Sequence, residues 1–145
     1  MINLTTTSAG TLQARAHRSL RSFMGRSLQP YRMTATGWAL LGAVAHASGV
    51  RPSQIADELG VRRPMVAQLI REFEKRGFIK SIPDHSDTRA KIITLTTHGV
   101  TFVEMLEMKL RTDMHGFLDD VPVTDLTTYF RVLRLIANKS NVQNN

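Results

Sequence analysis

Residues 53–77 constrain this chain more than any other stretch. Ile55, Ala56 and Leu59 stand at helical spacing and form a short apolar stripe. Gly60 follows, the residue type that lets a chain turn through positive φ at a helix end. Val61 is apolar within the turn. A second stripe comes at Val66, Leu69, Ile70 and Phe73, spaced i, i+3, i+4, i+7, and Gly77 closes it. Two short amphipathic helices joined by a tight glycine-containing turn predict a helix-turn-helix.

With 66, 69, 70 and 73 facing inward, the second helix turns Arg63, Pro64, Met65, Ala67, Gln68, Arg71 and Lys75 outward. That face is basic at both ends, with Gln and small residues between. A major groove admits a helix, Arg pairs bidentately with guanine and Gln with adenine, so the face suits DNA reading. An ordinary solvated helix with spare charges is the plainer alternative. Beyond Gly77, residues 78–82 and 91–95 are β-type runs separated by the turn formers of residues 83–89. A helix-turn-helix followed by a hairpin is a winged helix. Its tip carries Arg89, with His85 and Lys91 nearby, and such a tip can reach phosphates or a narrow minor groove.

Five segments now stand in order: Thr-Ala-Thr-Gly-Trp-Ala-Leu-Leu from Thr34, Ile-Ala-Asp-Glu-Leu-Gly-Val from Ile55, Phe-Glu-Lys-Arg-Gly-Phe-Ile from Phe73, Asp84-x-x-Asp87-x-Arg89-Ala90, and Leu95-Thr96-x-x-Gly99. Together they resemble the MarR family of bacterial and archaeal transcriptional regulators, over about residues 30–138. The resemblance implies a mainly α, winged helix-turn-helix fold with N- and C-terminal dimerisation helices. The DNA-binding domain would be 34–96, with its helix-turn-helix at about 53–76 and its wing at about 78–95. Residues 1–33 and 97–140 would form the dimerisation region, and 141–145 a polar tail. The implied partners are a second copy of the chain and double-stranded DNA bearing a pseudo-palindromic operator.

The resemblance also assigns residue roles. Asp87 would help hold the wing and Arg89 would enter the minor groove; two apart in an extended segment, they can share one side. An exposed ion pair between them is the alternative. Arg51 and Arg62 stand where the family places Ser or Thr at the starts of the two motif helices. Each start is expected to lose roughly 1 kcal/mol of capping, partly offset by Pro52 and Pro64. In exchange both arginines are expected to bind phosphates, and Ser53 and Lys91 complete the expected DNA-contacting set. Gly37 replaces a usual Gln or Glu, removing a capping-box partner.

Composition supports a nucleic-acid partner. The 145 residues are 42% apolar, enough for one folded domain, and the net charge is +7. Residues 1–33 hold five arginines and no acid, 34–96 hold nine basic against six acidic residues, and 97–145 hold five against six. The positive field therefore lies on the first helix and the winged helix. Cysteine is absent, which excludes disulfides and thiolate chemistry. No leader and no apolar run of membrane-spanning length is visible, so a cytoplasmic protein without a membrane partner is expected.

The remaining chain reads as helices. Residues 11–29 carry Leu12, Ala16, Leu20, Phe23, Met24 and Leu28 along one side, with Arg15, Arg18 and Arg26 on another, and Pro30 stops them. Thr34 caps a helix over 35–46, with Trp38, Leu41 and Val44 or Ala45 inward. Thr96 caps a helix running to 117 with Gly99 in its first turn. Residues 119–122 break it before a last helix bearing Leu126, Tyr129, Phe130, Leu133 and Ile136. These long apolar stripes exceed what a small winged helix can cover, so a partner chain is expected. As relatives bind small aromatic acids near the dimer helices, His17, Phe23, Met24, Trp38, Leu41 and Phe102 could line a pocket for a small aromatic or lipophilic effector. Plain core packing is the alternative for each.

No phosphate loop, nucleophile elbow or zincin motif is present, and the five histidines are scattered without an i, i+4 pair. Neither an enzyme nor a cofactor or metal site is expected. The leading expectation is a dimeric, sequence-specific regulator, most often a repressor in such families. A less selective DNA-organising or anti-silencing protein of the same fold, and a winged helix used for protein interaction, remain as alternatives.

Overall fold

The computed structural model describes residues 6–140, with side chains from 8 to 139; the expected polar tail at 141–145 lies outside the described residues. In chain order the elements are α1 (Thr6–Leu28), a 3₁₀ turn (Gln29–Tyr31), α2 (Ala35–His46), α3 (Pro52–Leu59), α4 (Arg63–Lys75), β1 (Ile79–Pro83), β2 (Lys91–Leu95), α5 (Thr97–Phe117) and α6 (Val123–Ser140). α1 begins several residues before the expected 11, because apolar periodicity marks only the packed part of a helix. At its far end Arg32 adopts a left-handed conformation, φ 50°, its amide bonded to the Gln29 carbonyl at 3.0 Å.

The chain forms two compact units, one to Leu110 and one from Arg111. The first is built around Leu28, Leu40, Leu41, Val44, Ile55, Val66, Phe73, Ile93 and Leu106, all essentially sealed from solvent. Each contributes about 2 kcal/mol relative to exposure. The inward face of α2 is Gly37, Leu40, Leu41 and Val44. Trp38, expected inside, is half-buried and packs against the core, and Ala45 is exposed. α2 is apolar almost throughout, so periodicity could not choose its inner side. Gly37 has a packing reason: a Cβ there would stand 2.9 Å from the Phe73 ring. Thr34 still caps the helix, its hydroxyl accepting the Gly37 amide at 3.0 Å.

β1 and β2 pair antiparallel, from Ile79 opposite Leu95 to Pro83 opposite Lys91. A further bridge joins Val50 to Ile93 through two backbone bonds of 3.2 and 2.8 Å. At the start of α5 the Thr96 hydroxyl accepts the Gly99 amide at 2.9 Å and donates to the Gly77 carbonyl at 2.5 Å. In the second unit α6 leaves Val123, Tyr129, Phe130, Val132, Leu135 and Ile136 exposed.

Candidate nucleic-acid interface

α3 starts at Pro52, and its N-cap residue is Arg51. Arg51 offers no acceptor, but the Gln54 side chain reaches back to accept the Arg51 amide at 2.9 Å, so half of a capping box remains. α3 ends at Gly60, φ 62°, and the Val61 amide bonds the Ala56 carbonyl at 3.1 Å. Arg62 then precedes α4 without any side-chain cap. The expected loss of capping holds fully at Arg62 and is softened at Arg51.

α4 buries Val66, Ile70 and Phe73, while Leu69 is half-buried. Arg63, Pro64, Met65, Gln68, Arg71 and Lys75 are exposed as expected; Ala67, expected outside, is half-buried at the margin of the packed face. The two acids of α4 are turned to other tasks. Glu72 pairs with Arg76 at 3.4 Å, and Glu74 accepts the Ser81 hydroxyl. Among the described residues, Arg62, Arg63, Gln68, Arg71 and Lys75 make no such side-chain bond. The outward face is thus cationic, with one amide at its centre.

The far end of α4 is anchored by Arg76, a residue that sequence reasoning passed over. Its guanidinium donates to the Arg32 and Tyr31 carbonyls, both at 2.8 Å, and lies 4.7 Å over the Phe78 ring. This rivets α4 to the chain between α1 and α2.

The wing loop differs from the extended segment expected around Asp87 and Arg89. Residues 88–89 form a turn. The Asp87 carboxylate accepts the Arg89 amide at 3.0 Å, and the Asp87 carbonyl accepts the Ala90 amide at 2.9 Å. The two side chains do not pair with each other among the described residues. Asp87 shapes the turn, and Arg89 and Lys91 are left exposed at the tip and its base.

Arg51 has a partner within the chain that its expected phosphate role did not include. Its Nε and Nη2 donate to Asp84 Oδ2 at 2.8 and 2.5 Å, and Nη2 lies 3.3 Å from the Ser86 hydroxyl. Asp84 Oδ1 accepts the Ser86 amide at 3.0 Å and hydroxyl at 2.8 Å. These Ser86 bonds, and then Arg51, hold the Asp84 carboxyl down to about 2. The guanidinium expected on a phosphate is paired with the wing in the chain by itself. The partners lie 33 residues apart, a pairing that local pattern cannot reveal; the only sequence hint was the Asp-x-Ser turn spacing. Ser53, also expected at the interface, is half-buried in the first turn of α3.

The residues expected to line an effector pocket are divided between a groove and the core. His17 and Met24 line an open groove of about 320 Å³ with Leu20 and Arg21 of α1, Ala35, Thr36 and Ala39 of α2, and Leu59 and Val61. Leu41 is instead core, and Phe102 stacks on Phe78 with ring centroids 4.1 Å apart. Phe23 and Trp38 are half-buried and do not line the groove. Helical spacing placed these residues on inward faces but could not say which gap they would face.

No described helix is long and apolar enough to cross a membrane. The profile of the MarR family matches residues 33–91. The transcriptional activatory protein BadR of Rhodopseudomonas palustris is 30% identical over 118 residues, a match spanning 78% of this chain and 67% of BadR. In structure, CouR from Rhodococcus jostii RHA1 bound to p-coumaroyl-CoA superposes with a TM-score of 0.79 at 20% identity, over 93% of this chain and 95% of CouR. A mutant MarR from Escherichia coli complexed with operator DNA gives 0.76 at 17% identity, over 88% of this chain and 91% of that one.

Proposed function

The chain belongs to the MarR family, transcriptional regulators built on a DNA-binding winged-helix fold and not enzymes, and from that premise we propose that it is a homodimeric, sequence-specific regulator. α4 enters the major groove. Arg63, Gln68 and Arg71 read base edges there, with Pro64, Met65 and Ala67 supplying apolar contact, and Arg62 and Lys75 take phosphates. Arg89 enters the adjacent minor groove, supported by Lys91, with Asp87 holding the loop. Ser53 meets the backbone at the start of α3.

One observation carries this reading. The cations and the glutamine of α4 face outward without intramolecular partners among the described residues, while both acids of the helix are tied down on its flanks. A merely solvated helix has no reason to sort its charges so. Repression, by covering a promoter, is the mode we assign, although BadR is named for activation. The groove beside His17, Arg21 and Met24 suits a small aromatic or lipophilic effector. Its apolar wall and lone cation fit a ligand with one anionic end.

The test is selection of duplexes from a random library with the purified protein, followed by competition. A consensus of two inverted half-sites, bound in the presence of a large excess of random duplex, is the expected result. Binding abolished by that competitor would favour the less selective DNA-organising role, which the exposed Arg15, Arg18 and Arg26 of α1 would also serve. No duplex retained even at low salt would favour the protein-interaction role.

A further inference from the structure

Two consecutive residues clasp the two strands of the wing. Val50 holds β2 through its backbone bonds to Ile93. Arg51 holds the end of β1 through Asp84, the residue immediately after Pro83. The Asp84 carboxylate is used on both sides: Oδ2 faces the Arg51 guanidinium, and Oδ1 gathers the Ser86 amide and hydroxyl. The Asp84 amide closes the loop on the Ala90 carbonyl at 3.0 Å. One carboxylate therefore joins the start of α3 to the loop that carries Arg89.

We propose that Arg51 and Asp84 are positioning residues for DNA recognition: their ion pair sets the reach of the wing relative to the helix-turn-helix, and neither needs to touch DNA. The proposal rests on the reading of the protein as a DNA-binding regulator. A two-stranded ribbon on its own is marginal in water, so the direction of its tip depends on what braces its base. Most exposed ion pairs contribute little. This one has two nitrogens on one carboxylate oxygen and a third contact to Ser86, with the aspartate side chain 13% and the arginine side chain 40% exposed. It therefore resembles a fixed joint more than a loose surface pair. It also explains an arginine at a helix start where an acceptor would cap better: the residue is chosen for its reach across to the wing.

The competing view is that Arg51 serves DNA directly and that Asp84 merely restrains it. The two views predict opposite signs for Asp84→Asn. This substitution adds one positive charge near the DNA and releases Arg51, while Asn keeps an oxygen for the Ser86 turn. If Arg51 were a phosphate contact, binding would tighten. As a joint, the pair's loss weakens binding of the selected duplex about tenfold, the scale of one lost specific contact. Hydroxyl-radical protection of the minor groove under the wing is lost with it, and methylation interference under α4 persists. That split between the two ends of the site would not follow from general destabilisation. Arg51→Ser, which supplies a helix cap in place of the guanidinium, gives the same split.

Equal or tighter binding by Asp84→Asn, or wing-side protection that survives both substitutions, overturns the proposal. Failure of the unsubstituted protein to retain any duplex overturns the DNA-binding reading itself, and is read before either variant is compared.

Discussion

At the level of single residues, two positions show how tightly the wing and its neighbours are drawn together. Gly99, in the first turn of α5, faces the backbone of Phe78: a Cβ there would lie 1.9 Å from the Phe78 carbonyl oxygen. No side-chain rotation relieves a clash with backbone. Gly99→Ala is expected to cost about 3 kcal/mol, read as a lower urea midpoint with unchanged slope; a midpoint equal to that of the parent protein would refute the contact. Asp84 behaves oppositely, as a group stabilised in its charged form. Its folded pKa of about 2 lies below the ordinary 3.8. The stabilisation is therefore complete above 3.8 and disappears as pH falls through about 2. The charged group facing it is Arg51 at the start of α3; beyond the Ser86 dipoles it has no other ion-pair partner among the described residues. The difference in melting temperature between the parent and Asp84→Asn should stay constant from neutral pH to 3.8 and close below it. A difference that closes well above 3.8 would contradict the assignment.

At the level of elements, α4 presents its proposed recognition face on one side and packs into the core with the other. Its start is poorly capped at Arg62, and its end is riveted by Arg76 to the carbonyls of Tyr31 and Arg32. Stability and affinity should therefore separate at Arg62. Arg62→Ser supplies the missing acceptor and should stabilise the fold by about 1 kcal/mol. The same substitution should weaken DNA binding and reduce the slope of log affinity against log salt by about one. Denaturation and salt titration on one variant check both halves; a slope left unchanged would remove Arg62 from the interface. The wing was visible in the sequence as two β-type runs, and the strands observed match them closely. Its bracing was not visible, because Arg51 and Asp84 are brought together by tertiary folding across 33 positions.

At the level of the whole molecule, the exposed apolar side chains of α6 favour a second copy. Val123, Phe130, Leu135 and Ile136 are each about half or more exposed, an unusual concentration for a surface element. Ile136→Asp is expected to convert the protein from twice to once the single-chain mass in sedimentation equilibrium. Operator affinity should fall on the order of a hundredfold, as two linked half-site contacts become independent. Parent protein sedimenting at the single-chain mass would refute the dimer. Much of this protein was set by its sequence alone. Helical spacing, turn glycines and capping threonines are local, so they specified the helix-turn-helix, the hairpin and the start of α5 at Thr96 without reference to the rest of the chain. Three matters were decided only in three dimensions. One is which side of the mostly apolar α2 is buried. Another is why Leu41 and Phe102 pack internally while His17 and Met24 line a groove. The last is that Arg51 grips the wing. Each depends on contacts between residues distant in the chain, and periodicity carries no information about which distant surface a side chain will meet.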